Sequence, residues 1–370
     1  MAFFASSVMT ALIDQPVRYD LGESTCPPLR LGDLGDSSTL AEVELGYGTS
    51  LGDPGLRALI AADIGVDPVA VLITVGAIEA MFLLAQATCG PGDEAVLATP
   101  CFPPSRAVPE ALGARIVAVP LSFDEGYRLP LERMAEALSP STRLVSLASP
   151  QNPSGIRFAE PELKALLELV AERAPRAKVL IDETYRASTF GDAPVPPSAA
   201  ALGPQVVTCS SLSKAHGAAG LRLGWLSTTD AELFEQLRQA KFHTTIACPT
   251  VDELLAAQVL RQQDRILAAR AERLGQALAE LERWAEGHPI EVLRPDGGAL
   301  CCVRLAAERF PDDAAVAAFY RRLTRHEVRV APGSWFGEED RVFRLGFGHL
   351  PAADFTEALD RLAAALAIEP

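Results

Sequence analysis

Lysine is nearly missing from this chain. Of its 33 basic residues only four, Lys164, Lys178, Lys214 and Lys241, are lysines. A GC-rich genome can trade lysine for arginine, so the bias alone shows nothing, but a lysine kept against it is worth locating. Paired cysteine motifs are missing too. The seven cysteines show no Cys-x-x-Cys and no metal-ligand spacing, so no metal site is expected. Cys301 and Cys302 are adjacent in an apolar run and read as packing, and the set reads as reduced thiols of a cytoplasmic protein. The N-terminal MAFFASSVMTALIDQ lacks a basic segment ahead of its short apolar stretch, so no signal peptide is expected. No run reaches the ~20 apolar residues of a membrane span. Positive charge is in deficit, with 33 basic against 48 acidic side chains and a net charge of −15. Neither nucleic acid nor an anionic membrane is an expected partner for such a surface.

What is present is globular material. Hydrophobic residues make up 49% of the chain and charged residues 22%, too apolar a balance for disorder. A length of 370 residues suits two domains. Short apolar runs of β type recur at 71–75, 94–99, 114–120, 143–149, 178–183, 205–211 and 222–228, with helical stretches such as 77–88, 129–138 and 160–174 between them. Near-continuous apolar strands separated by helices predict an α/β fold with a mostly parallel sheet covered on both faces. Beyond Pro249 the pattern changes. Residues 251–286 read as one long amphipathic helix, kinked or interrupted. A strand–turn–strand over EVLRPDGGALCCVRL follows, then a helix near 312–326, strands at VRVAP and RVFRLGFG, and a closing helix at 352–367. The division expected is an N-terminal arm over 1–40 that runs across the surface and packs with the small domain, a large domain over 41–248, and a smaller α+β domain over 249–370.

In open α/β sheets ligands sit beyond the carboxyl ends of the strands, so the polar residues there come first. Ser211-Leu-Ser213-Lys214, with Arg222 eight residues on, follows one apolar strand. A lysine there can act as a nucleophile toward an aldehyde, and two hydroxyls with a planar cation make a phosphate-binding set. Asp182 ends another apolar strand, where a carboxylate needs a cation such as a pyridinium nitrogen. Tyr185 and Asn152 are placed to donate to a ring oxygen. Gly76-Ala77, after the first strand, open a helix whose N–H groups suit phosphate.

These pieces, in this order, resemble the fold type I pyridoxal-phosphate (PLP) enzymes, specifically the class I/II aminotransferases. The resemblance spans nearly the whole chain. It includes Tyr47-Gly48, GAIEA (76–80), PGDEAVLATPCFP (91–103), NPSG (152–155), DETY (182–185), SLSKAHGAAGLRLGW (211–225), PDGGAL (295–300), APGSWFG (331–337) and FRLGF (343–347). It implies a seven-stranded, mostly parallel sheet flanked by helices plus a smaller C-terminal domain. It also implies Lys214 as the Schiff-base lysine and proton carrier, Asp182 on the pyridine nitrogen, and Asn152 and Tyr185 on the ring oxygen. Phe102 would stack on the ring, and Gly76, Ala77, Ser211, Ser213 and Arg222 would bind phosphate. Tyr47 would reach the phosphate in the other subunit of a homodimer, and Arg344, with Asn152, would hold the substrate α-carboxylate. The substrates implied are an amino acid and a 2-keto acid.

Two departures stand out. Ile78 occupies a position where many relatives carry a hydroxyl or amide, which leaves more of the phosphate work to backbone N–H groups. LGESTCPPL (21–29) replaces a commoner glycine–glutamate–proline turn and resembles a branch that includes capreomycidine-synthase-like enzymes. Elimination, cyclisation or oxidation of an amino acid such as an arginine derivative is therefore the alternative to transamination. The acidic residues Asp20, Glu23, Asp33 and Asp36 of the arm read as a solvated face or, if one points into the cleft, as a partner for a basic amino-acid side chain. His216, beside the lysine, reads as a packing residue.

Overall fold

The computed structural model describes residues 4, 6–35 and 38–367. Its strands are β1 (Tyr19–Asp20), β2 (Val71–Thr74), β3 (Glu94–Thr99), β4 (Arg115–Pro120), β5 (Thr142–Ala148), β6 (Lys178–Asp182), β7 (Val206–Ser211), β8 (Gly224–Thr228), β9 (Ile290–Val292), β10 (Leu300–Leu305), β11 (Val328–Arg329), β12 (Ala331–Pro332) and β13 (Val342–Gly346). Seven of them form one sheet in the order β2-β8-β7-β6-β5-β3-β4. Only β8 runs antiparallel to its neighbours; the remaining pairs are parallel. Each expected strand of this sheet lies within two residues of its apolar run. The central strands are apolar on both sides because both faces are covered, and Val96, Val145, Val179 and Val207 are all inaccessible to solvent.

The expected long helix after Pro249 is two helices, Thr250–Arg261 and Gln263–Ala285, broken at Gln262. It leads into a four-stranded sheet, β12-β13-β10-β9, whose pairs are antiparallel. The helices Asp313–Arg325 and Ala352–Leu366 share one core with this sheet.

The middle of the arm is not on the surface. Tyr19, Leu21, Ser24 and Cys26 are buried, and β1 pairs in parallel with β11. The physical reason lies in the backbone bonds that stitch residues 19–29 to two parts of the chain. Gly346 N donates to Leu21 O (2.7 Å), while Cys26 N donates to Lys214 O (3.2 Å) and Leu29 N to Gly217 O (2.9 Å). Polar backbone buried in this way is tolerated only when paired, and the strap thus crosses the carboxyl edge of the large sheet.

Candidate active site

The carboxyl ends of β2, β5, β6 and β7 deliver the chemistry-bearing residues to one edge. β2 runs into the helix Gly76–Thr88, whose first residue has φ +74°. A Cβ on Gly76 would lie 2.7 Å from Arg222 Nη2, so glycine lets the guanidinium lie against the helix N-terminus. Arg222 is itself left-handed at φ +48°. Its Nη1 donates to Ala219 O (3.0 Å) and, at 3.5 Å, to Ser213 Oγ. Ser213 N in turn donates to Ser211 Oγ at 3.3 Å, and Gly224 on β8 packs against the Ala77 amide. Gly76, Ala77, Ser211, Ser213 and Arg222 therefore come together as a cup of N–H, O–H and guanidinium donors, the chemistry a phosphate needs. Ile78 is partly exposed beside it and offers only its backbone.

Asp182, at the end of β6, accepts from Thr184 N (2.9 Å) and Thr184 Oγ1. Among the described residues no basic group lies within ion-pair distance of it. Burial pushes its pKa up, against the lowering effects of the Thr184 and Cys209 hydrogen bonds and of Lys214. A carboxylate in that position fits a cationic ring nitrogen. Arg344 on β13 is its mirror image. This guanidinium is 2% exposed and donates through Nη1 to Asn152 Oδ1 (2.9 Å) and through Nη2 to Gly22 O (2.6 Å). Its Nε has no partner, and no carboxylate among the described residues pairs with it. A partly buried carboxylate and a buried guanidinium, neither in a direct ion pair among the described residues, suit a ligand bearing both signs.

Lys214 lies between them. Its Nζ donates to Glu23 Oε1 (3.3 Å) and to Ser24 Oγ (3.2 Å) and sits 5.9 Å from the centre of the Tyr185 ring. Burial lowers its pKa, but Tyr185 and Glu23 more than reverse this, and the net shift is upward. The buried Tyr185 hydroxyl meets Ser24 Oγ at 2.8 Å. Asn152 spends its carbonyl oxygen on Arg344, which leaves its amide N–H groups to donate elsewhere. Phe102, half-buried at the end of β3, packs on the core cluster that contains Leu97. Tyr47 is 88% exposed, and the single chain does not bring it into the cleft.

Glu23 and Ser24 are the residues that motif reading did not assign. Of the acidic arm, Asp20 pairs with Arg329, Asp33 caps the Arg30 amide (2.8 Å), and Asp36 lies outside the described residues. Among the described residues of that set only Glu23 enters the cleft. The signal available in the sequence was the replacement of a glycine–glutamate–proline turn by Gly22-Glu23-Ser24. His216 is buried, and burial outweighs the raising effects of Asp63 and Gln263 to lower its pKa to about 4, so it is neutral at pH 7.

Residues 31–362 match the family described as aminotransferase class I and II. The chain belongs to that family and is a PLP-dependent aminotransferase by descent and fold. Among curated proteins it is 32% identical to capreomycidine synthase of Streptomyces vinaceus over 303 residues, which are 81% of this chain and 76% of that one. It is 33% identical to arginine–pyruvate transaminase AruH of Pseudomonas aeruginosa over 307 residues, 80% and 75% of the two chains. Among solved structures, the PLP-dependent cyclase OrfR in complex with Au superposes with a TM-score of 0.86 at 27% identity, covering 98% of this chain and 97% of that one. Among the described residues no helix is long and apolar enough to cross a membrane, and no group of His, Cys, Asp and Glu is arranged to hold a metal.

Proposed function

We propose that this chain moves an amino group between an L-amino acid and a 2-keto acid, with Lys214 both holding the cofactor and carrying the substrate α-proton. The observation that carries the reading is the buried Arg344, which makes no direct ion pair and lies by the same cleft as the Lys214 amine. That is a carboxylate seat beside a nucleophile, the pair an α-amino acid requires. When bound, PLP supplies an aldehyde that takes up amines and a ring that draws electrons from the substrate Cα.

The remaining roles follow from the donor sets. Asp182 keeps a proton on the ring nitrogen. Asn152 and Tyr185 donate to the ring oxygen, and Phe102 covers one ring face. Gly76, Ala77, Ser211, Ser213 and Arg222 hold the phosphate. Arg344 binds the α-carboxylate with Asn152 bracing it. Lys214 would hold the cofactor and move the substrate Cα proton.

The working unit is a homodimer in which Tyr47 reaches the phosphate in its partner's site. In support, Leu45, Tyr47, Ile78, Phe242 and Ile246 are all exposed apolar side chains, which a partner subunit would cover. The Tyr47 loop is braced by Thr250 Oγ1 on Gly46 O (3.0 Å) and by Glu253 Oε2 on Asp53 N (3.0 Å). The division into arm 1–40, large domain 41–248 and small domain 249–370 belongs to the same proposal. So does a cytoplasmic location, which the seven unpaired cysteines suit.

The test is to add amino acids one at a time to the purified holoenzyme without a keto acid and to follow the visible band of the cofactor. Conversion to the amine form with release of a keto acid, reversed by pyruvate or 2-oxoglutarate, is expected. A band change accompanied by ring closure, ammonia release or oxygen uptake overturns transamination in favour of other chemistry, such as the cyclisation that OrfR is named for.

A further inference from the structure

Of the four lysines, Lys241 is the one with no solvent exposure, and none of the roles above uses it. It sits on the helix Ala231–Phe242. Its Nζ donates to Ser50 O at 2.8 Å, and no carboxylate among the described residues forms an ion pair with it. Glu253, on the helix Thr250–Arg261, is buried as well. Its Oε2 accepts from Asp53 N (3.0 Å), while its Oε1 has no hydrogen-bond partner among the described residues. Burial raises the Glu253 pKa to about 7, against the lowering effects of the Asp53 amide and the Lys241 charge.

Both side chains grip one segment. Residues 46–53 carry Tyr47 and are held at Gly46 O by Thr250 Oγ1 (3.0 Å), at Ser50 O by Lys241 and at Asp53 N by Glu253. Between these clasps Leu51 O accepts from Ile73 N on β2 (3.0 Å), and a Cβ on Gly52 would overlap the Ile73 side chain. The segment therefore lies against the strand that runs into the phosphate cup. The chain just past the Lys241 helix is tied to the cup too. Thr245 Oγ1 donates to Glu79 Oε1 (2.8 Å), and Glu79 Oε2 accepts from Val75 N (2.5 Å), the residue before Gly76. A buried ammonium is a costly way to fill space that an apolar side chain would fill more cheaply. What it adds is a strong, charge-assisted bond to a carbonyl that would otherwise be unpaired beneath the segment. Tyr47 is 88% exposed, so its placement depends on the backbone under it.

We propose that Lys241 and Glu253 are positioning residues that aim Tyr47 at the phosphate in the partner subunit's site. The inference rests on the shared-site homodimer proposed above. Both residues act through the backbone of 46–53 rather than by contact with the cofactor. A segment already fixed within one subunit loses little further entropy when the partner docks, so the Tyr47 hydroxyl keeps its full effect as a phosphate donor. Because the same segment bonds to β2, each subunit's own phosphate cup and the tyrosine it lends move as one unit.

The readout is the Kd for PLP, titrated through the visible band, with the thermal midpoint of the cofactor-free protein measured beside it. Tyr47→Phe removes only the hydroxyl and sets the scale of the effect. Lys241→Met should raise Kd by about 10-fold. Thr250→Val loses the clasp on Gly46 O at a half-buried position and should raise it about threefold. In a Tyr47→Phe background neither substitution should raise Kd further, because both act through the missing hydroxyl. Glu253→Gln keeps an acceptor for Asp53 N and should stay within about twofold of the parent, whereas Glu253→Leu should not. A Kd unmoved in both Lys241→Met and Thr250→Val, while Tyr47→Phe raises it, would overturn the proposal and leave the shared site standing. So would a rise of the same size with and without the Tyr47 hydroxyl, which would make the clasp merely structural. Thr250→Val decides the matter if Lys241→Met does not fold. If Tyr47→Phe binds PLP as the parent does, the shared-site reading itself fails and takes this proposal with it.

Discussion

Replacing Gly76 by alanine probes the phosphate cup at its tightest point. The residue sits at φ +74°, where an L side chain costs about 1–2 kcal/mol. Its new Cβ would also lie 2.7 Å from Arg222 Nη2, inside any normal contact, so the guanidinium has to move away from the helix N-terminus. If Arg222 and the first amides of Gly76–Thr88 hold the phosphate together, that shift weakens a hydrogen bond between charged groups worth about 1.5–3 kcal/mol. Two separate readouts follow. The cofactor-free protein should lose only the backbone term, with its thermal midpoint falling by a few degrees, about 2–4 °C for each kcal/mol. The Kd for PLP, measured by equilibrium titration of the visible band, should rise about 10- to 100-fold beyond that. Ser213→Ala should raise it less, because the Ser213 contact to Arg222 is long at 3.5 Å. An unchanged Kd in Gly76→Ala, with the midpoint lowered as expected, would refute the placement of the phosphate between this helix and Arg222.

Two further outcomes follow from charges elsewhere in the chain. Asp182→Asn keeps the shape but removes the charge that would hold a proton on the ring nitrogen; kcat should fall about 10²–10³-fold while the cofactor still binds. A kcat within about threefold of the parent would remove Asp182 from its role. His216 governs part of the acid sensitivity of the fold. Its folded pKa is lowered from 6.5 to about 4 by burial, so in that window the unfolded chain binds a proton that the folded chain does not. Stability is fully present above about pH 6.5 and is lost as pH falls toward 4. Urea unfolding should therefore show a smaller drop between pH 7 and pH 4.5 in His216→Gln than in the parent, and equal drops would mean that His216 is not a source of the acid sensitivity.

Much of this site was legible because its parts are local. Lys214, Asp182, Asn152 and the Gly76 turn each follow an apolar strand within a few residues, and strand ends in a parallel sheet converge on one edge whatever joins them. The apolar runs located β2 to β8 within two residues, and for the inner strands the reason is that a strand buried on both faces has no polar alternation to blur its limits; β4, at the sheet's edge, is partly exposed. The break at Gln262 within an amphipathic stretch, and the two short pieces β11 and β12 within VRVAP, were less legible, since each depends on which neighbour the backbone finds to pair with.

What the amino-acid sequence by itself determined, then, is the sheet, the edge on which the candidate site lies and the residue types placed there, all consequences of short-range patterning. Only the tertiary structure decided how the arm's acidic residues divide their work. Asp20, three positions before Glu23, turns to Arg329, whereas Glu23 reaches Lys214, 191 residues away, and Ser24 reaches Tyr185 across 161. The same holds for Arg344, braced by Asn152 across 192 residues. No periodicity encodes such separations. They arise because the strap is pinned at Leu21, Cys26 and Leu29 to two different parts of the chain, and the crossing path between those pins leaves one carboxylate facing inward.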